Sequence, residues 1–149
     1  MQQEELSAVR KRMGSIDPRT LNPLQMAYVG DTIHDLYVRS LLLSRGMSVG
    51  AMHRRAVRLV SAAAQARMLD VLAPMLTAEE ADVARRGRNA QAKHAAPRHA
   101  DPADYAHATG LEALWGYLYI TGQSERLDAL MAAALESAQA HEGGHGGEA

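Results

Sequence analysis

Apolar residues recur along most of this chain at intervals of three and four, and no run alternates with period two between turn signals. That pattern predicts helices almost throughout and an all-α fold. Ala, Leu, Met, Gln, Glu and Arg, all compatible with helix, dominate the segments. A first helix is expected over about residues 4–13, stopped by Gly14-Ser15-Ile16-Asp17-Pro18. Asn22-Pro23 supplies an N-cap and a proline at the first helical position, opening a long helix to Ser44 that ends at Gly46. Ser48 caps a third helix over residues 49–59, and Ser61 a fourth reaching about Leu72. Thr77-Ala78-Glu79-Glu80 has capping-box spacing, and the helix it opens is expected to close at Gly87. Residues 88–100 then read as a basic, His- and Pro-containing loop. Asp101-Pro102 starts a helix to about Ile120, Gly122 ends it, and Ser124 caps a last helix to about Ala140. Residues 1–140 are expected to form one domain, and residues 141–149 (HEGGHGGEA) a disordered glycine-rich tail.

Composition narrows the chemistry. At 149 residues the chain suits one compact domain. It contains no Cys, which excludes disulfides, a thiolate nucleophile and cysteine-based metal sites. No stretch is apolar enough to span a membrane, and the first ten residues, MQQEELSAVR, are too polar for a signal peptide, so a soluble cytoplasmic protein is expected. The formal charge of −1 suggests a neutral surface, but the charges are segregated. Residues 53–100 hold nine basic and four acidic side chains, a local balance of +5, and the rest of the chain carries −6. Arg54, Arg55 and Arg58 cluster on one predicted helix, while Arg85, Arg86, Arg88 and Asn89 lie where a helix end is expected to run into the loop. Such clusters suit phosphate contacts, although any one arginine can equally be a solvated residue or a complement to a helix dipole.

Two acids occupy unusual places. Leu24, Ala27, Tyr28, Asp31, Asp35, Val38 and Leu42 share a stripe of the second helix, so Asp31 is expected among apolar residues. Tyr105, Ala108, Thr109, Glu112, Gly116 and Tyr119 share a face of the helix after Pro102. Gly30 and Gly116 lie beside these acids, and a missing Cβ lets two helix backbones approach closely, so a crossing that brings Asp31 to Glu112 is expected. A buried carboxylate must be protonated, paired or metal-bound. Oxygen ligands would select a hard ion such as Mg²⁺, with Mn²⁺ as a substitute. By spacing alone, structural ion pairs with neighbouring arginines are the commoner outcome. His34 and His107 read as packing or surface residues, and Trp115, Tyr117 and Tyr119 as core rather than a platform for bases.

Four blocks then stand in a specific order and spacing: residues 23–37 (PLQMAYVGDTIHDLY), 53–65 (HRRAVRLVSAAAQ), 85–90 (RRGRNA) and 111–122 (LEALWGYLYITG). Together they closely resemble the Mini-ribonuclease III family, short relatives of ribonuclease III that have its catalytic domain and no separate RNA-binding domain. The resemblance covers about residues 21–135. It implies an all-helical bundle forming a homodimer through the helices around the first motif, and an endonuclease that cuts double-stranded RNA with Mg²⁺ and matures the precursor of 23S ribosomal RNA. In Tyr28-Val29-Gly30-Asp31, Asp31 takes the position of a catalytic, metal-binding aspartate. In Leu111-Glu112-Ala113-Leu114, Glu112 takes that of the metal-binding glutamate. The wider ribonuclease III pattern has further acids where this chain has Leu24, Ala27 and Thr109, a reduction shared by the Mini-ribonuclease III family.

On this reading Asp31 and Glu112 hold the ion, Asp35 and Thr109 orient waters from behind them, and Arg54, Arg55, Arg85, Arg86, Arg88 and Asn89 contact RNA. Tyr28, Leu36 and Tyr37 divide between core and dimer interface. Binding by a single module is expected to be salt-sensitive, with a large-subunit ribosomal protein on the precursor as a candidate helper. Two alternatives are a non-catalytic RNA-binding scaffold of the same fold, which would have no use for the acids, and a partner- or DNA-binding helical module using the basic third helix.

Overall fold

The computed structural model describes residues 6–144. Glu4 and Glu5 of the expected first helix and residues 145–149 of the expected tail lie outside them. Among the described residues the chain forms seven α-helices and no strand: α1 (Ser7–Gly14), α2 (Pro23–Ser44), α3 (Val49–Val60), α4 (Ala62–Leu72), α5 (Ala78–Ala92), α6 (Pro102–Ile120) and α7 (Ser124–Gly144). None is long and apolar enough to cross a membrane.

Capping chemistry places most of the starts. The Asn22 side chain accepts from the Gln25 N–H at 3.0 Å, while the Gln25 side-chain oxygen accepts from the Asn22 N–H at 2.9 Å. Thr77 and Glu80 reciprocate in the same manner at α5, and Ser48, Ser61 and Asp101 cap α3, α4 and α6. Gly46 and Gly122 adopt φ of 67° and 74°, the left-handed conformation in which a side chain would be strained, and so end α2 and α6.

Two boundaries differ from the sequence pattern. Helix α5 does not close at Gly87 but runs on to Ala92, so Arg88 and Asn89 are helical and not in a loop. Gly87 is needed for packing, not for a turn: a Cβ there would lie 2.8 Å from that of Ala113 and 3.1 Å from the Gly110 Cα on α6. Helix α7 continues over the start of the expected tail to Gly144, with Glu142 3.3 Å from the Arg55 guanidinium of α3.

Helix α6 is the centre of the molecule. Leu111, Ala113, Leu114, Trp115 and Leu118 are fully buried, whereas Tyr105, Glu112 and Tyr119 form a half-buried stripe along one edge. Helices α2, α3, α4 and α7 close one cluster over it through Val38, Leu42, Leu59, Met68, Leu72, Leu130 and Met131. A smaller cluster of Met26, Ala27, Val83, Ala113 and Ile120 joins α2, α5 and α6. With no Phe in the chain, Trp115 is the large aromatic of this core. Tyr117 and Tyr119 are half-buried: the Tyr117 hydroxyl donates to Glu79 at 2.5 Å, and the Arg10 guanidinium lies 4.5 Å over the Tyr119 ring.

Candidate active site

Helices α2 and α6 touch backbone to backbone. A Cβ on Gly30 would sit 1.7 Å from the Glu112 carbonyl oxygen, and one on Gly116 would sit 1.9 Å from that of Met26. Advancing four residues along α2 thus retreats four along α6, so the helices run antiparallel. Asp31 follows the contact residue Gly30, and Glu112 itself receives Gly30, which brings the two acids to one edge of the crossing.

Their carboxyl groups come close enough to interact. Glu112 is half-buried, and its carboxyl is pushed up to about 9, first by burial, then by the hydrogen bond to Asp31 and the charge of Asp31. At neutral pH Glu112 therefore favours its protonated form. The expected juxtaposition is present, but the burial is distributed differently: Asp31 is exposed and Glu112 is the enclosed partner. The buried face of α2 consists of Met26, Ala27, Gly30, Ile33, His34, Val38 and Leu42. It is turned from the expected stripe because Gly30 makes its tightest contact through bare backbone, which hydropathy does not register. Tyr28, placed on that stripe by the pattern, is 82% exposed.

Arginine pairing does not explain the acids. Among the described residues, ion pairs join Asp17 to Arg19, Asp35 to Arg39, Glu80 to Arg126, Asp82 to Arg85 and Arg86, and Glu142 to Arg55, and none includes Asp31 or Glu112. Nor do the described residues gather three or more His, Cys, Asp or Glu side chains in one potential metal-holding group. The oxygen donors at this edge are the two carboxyls. Asp35 lies one turn beyond Asp31, with its carboxylate 3.4 Å from the Arg39 guanidinium. Thr109 is buried one turn before Glu112 and donates its hydroxyl to the Tyr105 carbonyl at 3.0 Å.

On the other side of α6, Gly110 receives α5. A Cβ on Gly110 would meet the Ala84 carbonyl oxygen at 2.6 Å and the Arg88 Cβ at 3.4 Å. This crossing sets Arg88 against the segment that carries Glu112. The nominated basic residues differ in their freedom. Arg85 and Arg86 both pair with Asp82 on their own helix, and Arg55 pairs with Glu142. Arg54 is exposed and Arg88 half-buried, neither in an ion pair among the described residues, and Asn89 is exposed on α5.

Two features were not visible in the spacing. Glu80 is buried and makes a two-pronged contact with the Arg126 guanidinium at 2.8 and 2.9 Å, which holds its carboxyl below the usual range. Its capping-box position was its only sequence signal. His34, expected as a packing or surface residue, is in the core, 1% exposed. It hydrogen-bonds to Trp115 and to the Leu59 carbonyl, at 3.1 and 3.0 Å. Burial lowers its affinity for a proton.

The chain matches known proteins in sequence and in fold. Residues 24–123 match the Ribonuclease III domain. The chain is 53% identical over 121 residues to the Mini-ribonuclease 3 of Symbiobacterium thermophilum, spanning 80% of this chain and 92% of that one. It is 44% identical over 128 residues to the Mini-ribonuclease 3 of Brevibacillus brevis, spanning 85% and 89%. A Fusobacterium nucleatum protein solved by X-ray crystallography shares the fold, with a TM-score of 0.74 and 24% identity across 83% of this chain and 98% of that one. The domain match holds both acids and both helix crossings that position them, and the chain belongs to the ribonuclease III family, among its Mini-ribonuclease 3 members.

Proposed function

We propose that this ribonuclease III-family nuclease cleaves double-stranded RNA by Mg²⁺-dependent hydrolysis of phosphodiester bonds, acts as a homodimer in the cytoplasm, and matures the precursor of 23S ribosomal RNA. The observation that carries the reading is the Asp31–Glu112 pair: two carboxyls brought together by the glycine crossing of α2 and α6, with no cationic side chain in an ion pair with either among the described residues. Such a pair suits a hard divalent cation, because oxygen donors match it and one ion relieves both the desolvation and the mutual repulsion. Mg²⁺ retains several waters when bound, so two protein oxygens are a sufficient donor set.

Asp31 and Glu112 would hold the ion, which supplies a Lewis acid to acidify the attacking water and neutralise charge on the phosphate in flight. To hold the ion as a carboxylate, Glu112 would have to release its proton. Exposed Asp31 keeps the site open to a backbone as wide as a duplex. Arg54, Arg88 and Asn89 supply phosphate contacts that read backbone shape rather than sequence. Exposed Tyr28, Leu36 and Leu43 on α2, with Val49 and Val57 on α3, leave an apolar surface that a second copy would cover. A two-fold dimer built there would present one site to each RNA strand.

The test is incubation of long double-stranded RNA with Mg²⁺, with EDTA, and with the variants Asp31→Asn and Glu112→Gln. Cleavage by the unaltered protein in Mg²⁺ alone is expected. Cutting that persists in both variants would overturn the metal assignment, and RNA binding without cutting by the unaltered protein would favour a scaffold.

A further inference from the structure

The residues three positions after the two acids also meet. His34 follows Asp31 on α2 and Trp115 follows Glu112 on α6, each one helical turn on, and their side chains are hydrogen-bonded at 3.1 Å inside the core. The chemistry of this contact is fully specified. An indole N–H only donates, so His34 Nδ1 is the acceptor and Nε2 carries the ring hydrogen. That hydrogen points to the Leu59 carbonyl at 3.0 Å. Leu59 lies in the last turn of α3, where main-chain oxygens have no partner within the helix, and the neighbouring Val60 carbonyl is satisfied in the same way by the Gln65 side chain at 2.9 Å. One neutral imidazole thus ties together α2, α3 and α6.

The glycine crossing needs such a tie. Gly30 and Gly116 allow the two backbones to touch, and apolar contacts around them are less directional than a hydrogen bond. A side chain's tip stands about 6 Å from its helix axis, so a 20° rotation of α2 would carry the Asp31 carboxylate about 2 Å from its place. Sites of this kind tolerate about 0.5 Å. A hydrogen bond one turn from both acids supplies a directional restraint.

We propose that His34 is a positioning residue: through its bonds to Trp115 and Leu59 it sets the rotation of α2 against α6 and thereby holds Asp31 and Glu112 at the separation that binds a divalent cation. The inference rests on the assignment of those two acids as the metal-holding pair. His34→Leu removes both hydrogen bonds. His34→Gln can restore both, its amide oxygen accepting from Trp115 and its amide N–H donating to Leu59. Trp115→Phe removes only the indole donor.

Each variant is titrated with Mn²⁺, with the free ion followed by electron paramagnetic resonance, and assayed for cleavage of double-stranded RNA. For His34→Leu the dissociation constant for Mn²⁺ is expected to rise about tenfold and kcat to fall by a similar factor, with KM for RNA changed less than twofold. Trp115→Phe should move both quantities in the same direction, and His34→Gln should recover most of the loss. Unchanged Mn²⁺ affinity in Trp115→Phe, or no recovery in His34→Gln when that variant melts at the temperature of the unaltered protein, overturns the proposal. Should His34→Leu fail to fold, Trp115→Phe and His34→Gln decide it. Undiminished Mn²⁺ binding in both Asp31→Asn and Glu112→Gln would instead refute the metal-holding pair, and the positioning role with it.

Discussion

Replacing Gly30 by Ala adds one methyl group at the closest approach of α2 and α6. The new Cβ would lie 1.7 Å from the Glu112 carbonyl oxygen, where real contacts of this kind do not fall below 3.0 Å, so the helices must part by about 1.3 Å. The obstacle is main chain on the central helix, which has no rotamer to change. Overpacking of this severity costs about 3 kcal/mol, a fall in Tm on the order of 10 °C for a domain of this size. The displacement falls on the residue that carries the second carboxyl, and a misplacement near 1 Å lowers a rate by about 100-fold. Gly30→Ala is therefore expected to be destabilised in thermal melts and, at temperatures where it is still folded, to cut double-stranded RNA at about 1% of the normal kcat. Gly14→Ala is the control, since a Cβ there meets nothing within 4 Å, and it should leave both quantities unchanged. Wild-type kcat and Tm in Gly30→Ala would refute the close crossing and the placement of the acids derived from it.

The raised affinity of Glu112 for its proton makes stability depend on pH. Its folded-state value of about 9 lies above the ordinary 4.5, so the folded state binds the proton more tightly. In EDTA, stability should be fully present below about pH 4.5 and decline as pH rises through 9, as far as this group contributes. Glu112→Gln should lack that decline and melt higher than the unaltered protein at pH 8; equal melting at pH 8 would contradict the raised proton affinity of Glu112. Among the arginines, Arg54→Ala should weaken duplex RNA binding several-fold and reduce the salt slope by about one, whereas Arg55→Ala, which also releases Glu142, should cost less. Binding isotherms between low and moderate salt check this, and equal losses would place Arg55 on the RNA. Leu36→Asp with Leu43→Asp should convert a dimer to monomers in analytical ultracentrifugation without lowering helix content, and a dimer that survives both changes would move the interface elsewhere.

Much of the fold was legible in short-range signals because they act within one or two turns. The Asn22-Pro23 start, the Thr77–Glu80 box and the left-handed glycines Gly46 and Gly122 mark helix ends whatever lies around them. The meeting of Asp31 with Glu112 was legible too, since Gly30 and Gly116 foretold a close crossing of the helices that carry them. Gly87 shows where local reasoning stops. A glycine after a basic helical run reads as a terminus, yet its bare backbone is used against Gly110 and Ala113 of a helix that follows in the chain, and α5 runs on.

Helical periodicity, caps and the identity of the two acids are properties of neighbouring residues, and the chain carries them before it folds. Which acid is enclosed, which arginines remain free and what His34 does are decided by partners distant in sequence. Glu112 holds its proton because Asp31 arrives across a glycine crossing, Arg55 is paired because α7 reaches Glu142, and His34 is neutral because Trp115 and Leu59 close over it. Desolvation and hydrogen-bond geometry depend on what surrounds a group in space, and the packing of α2, α5 and α7 around α6 and of α3 beside α2 creates those surroundings.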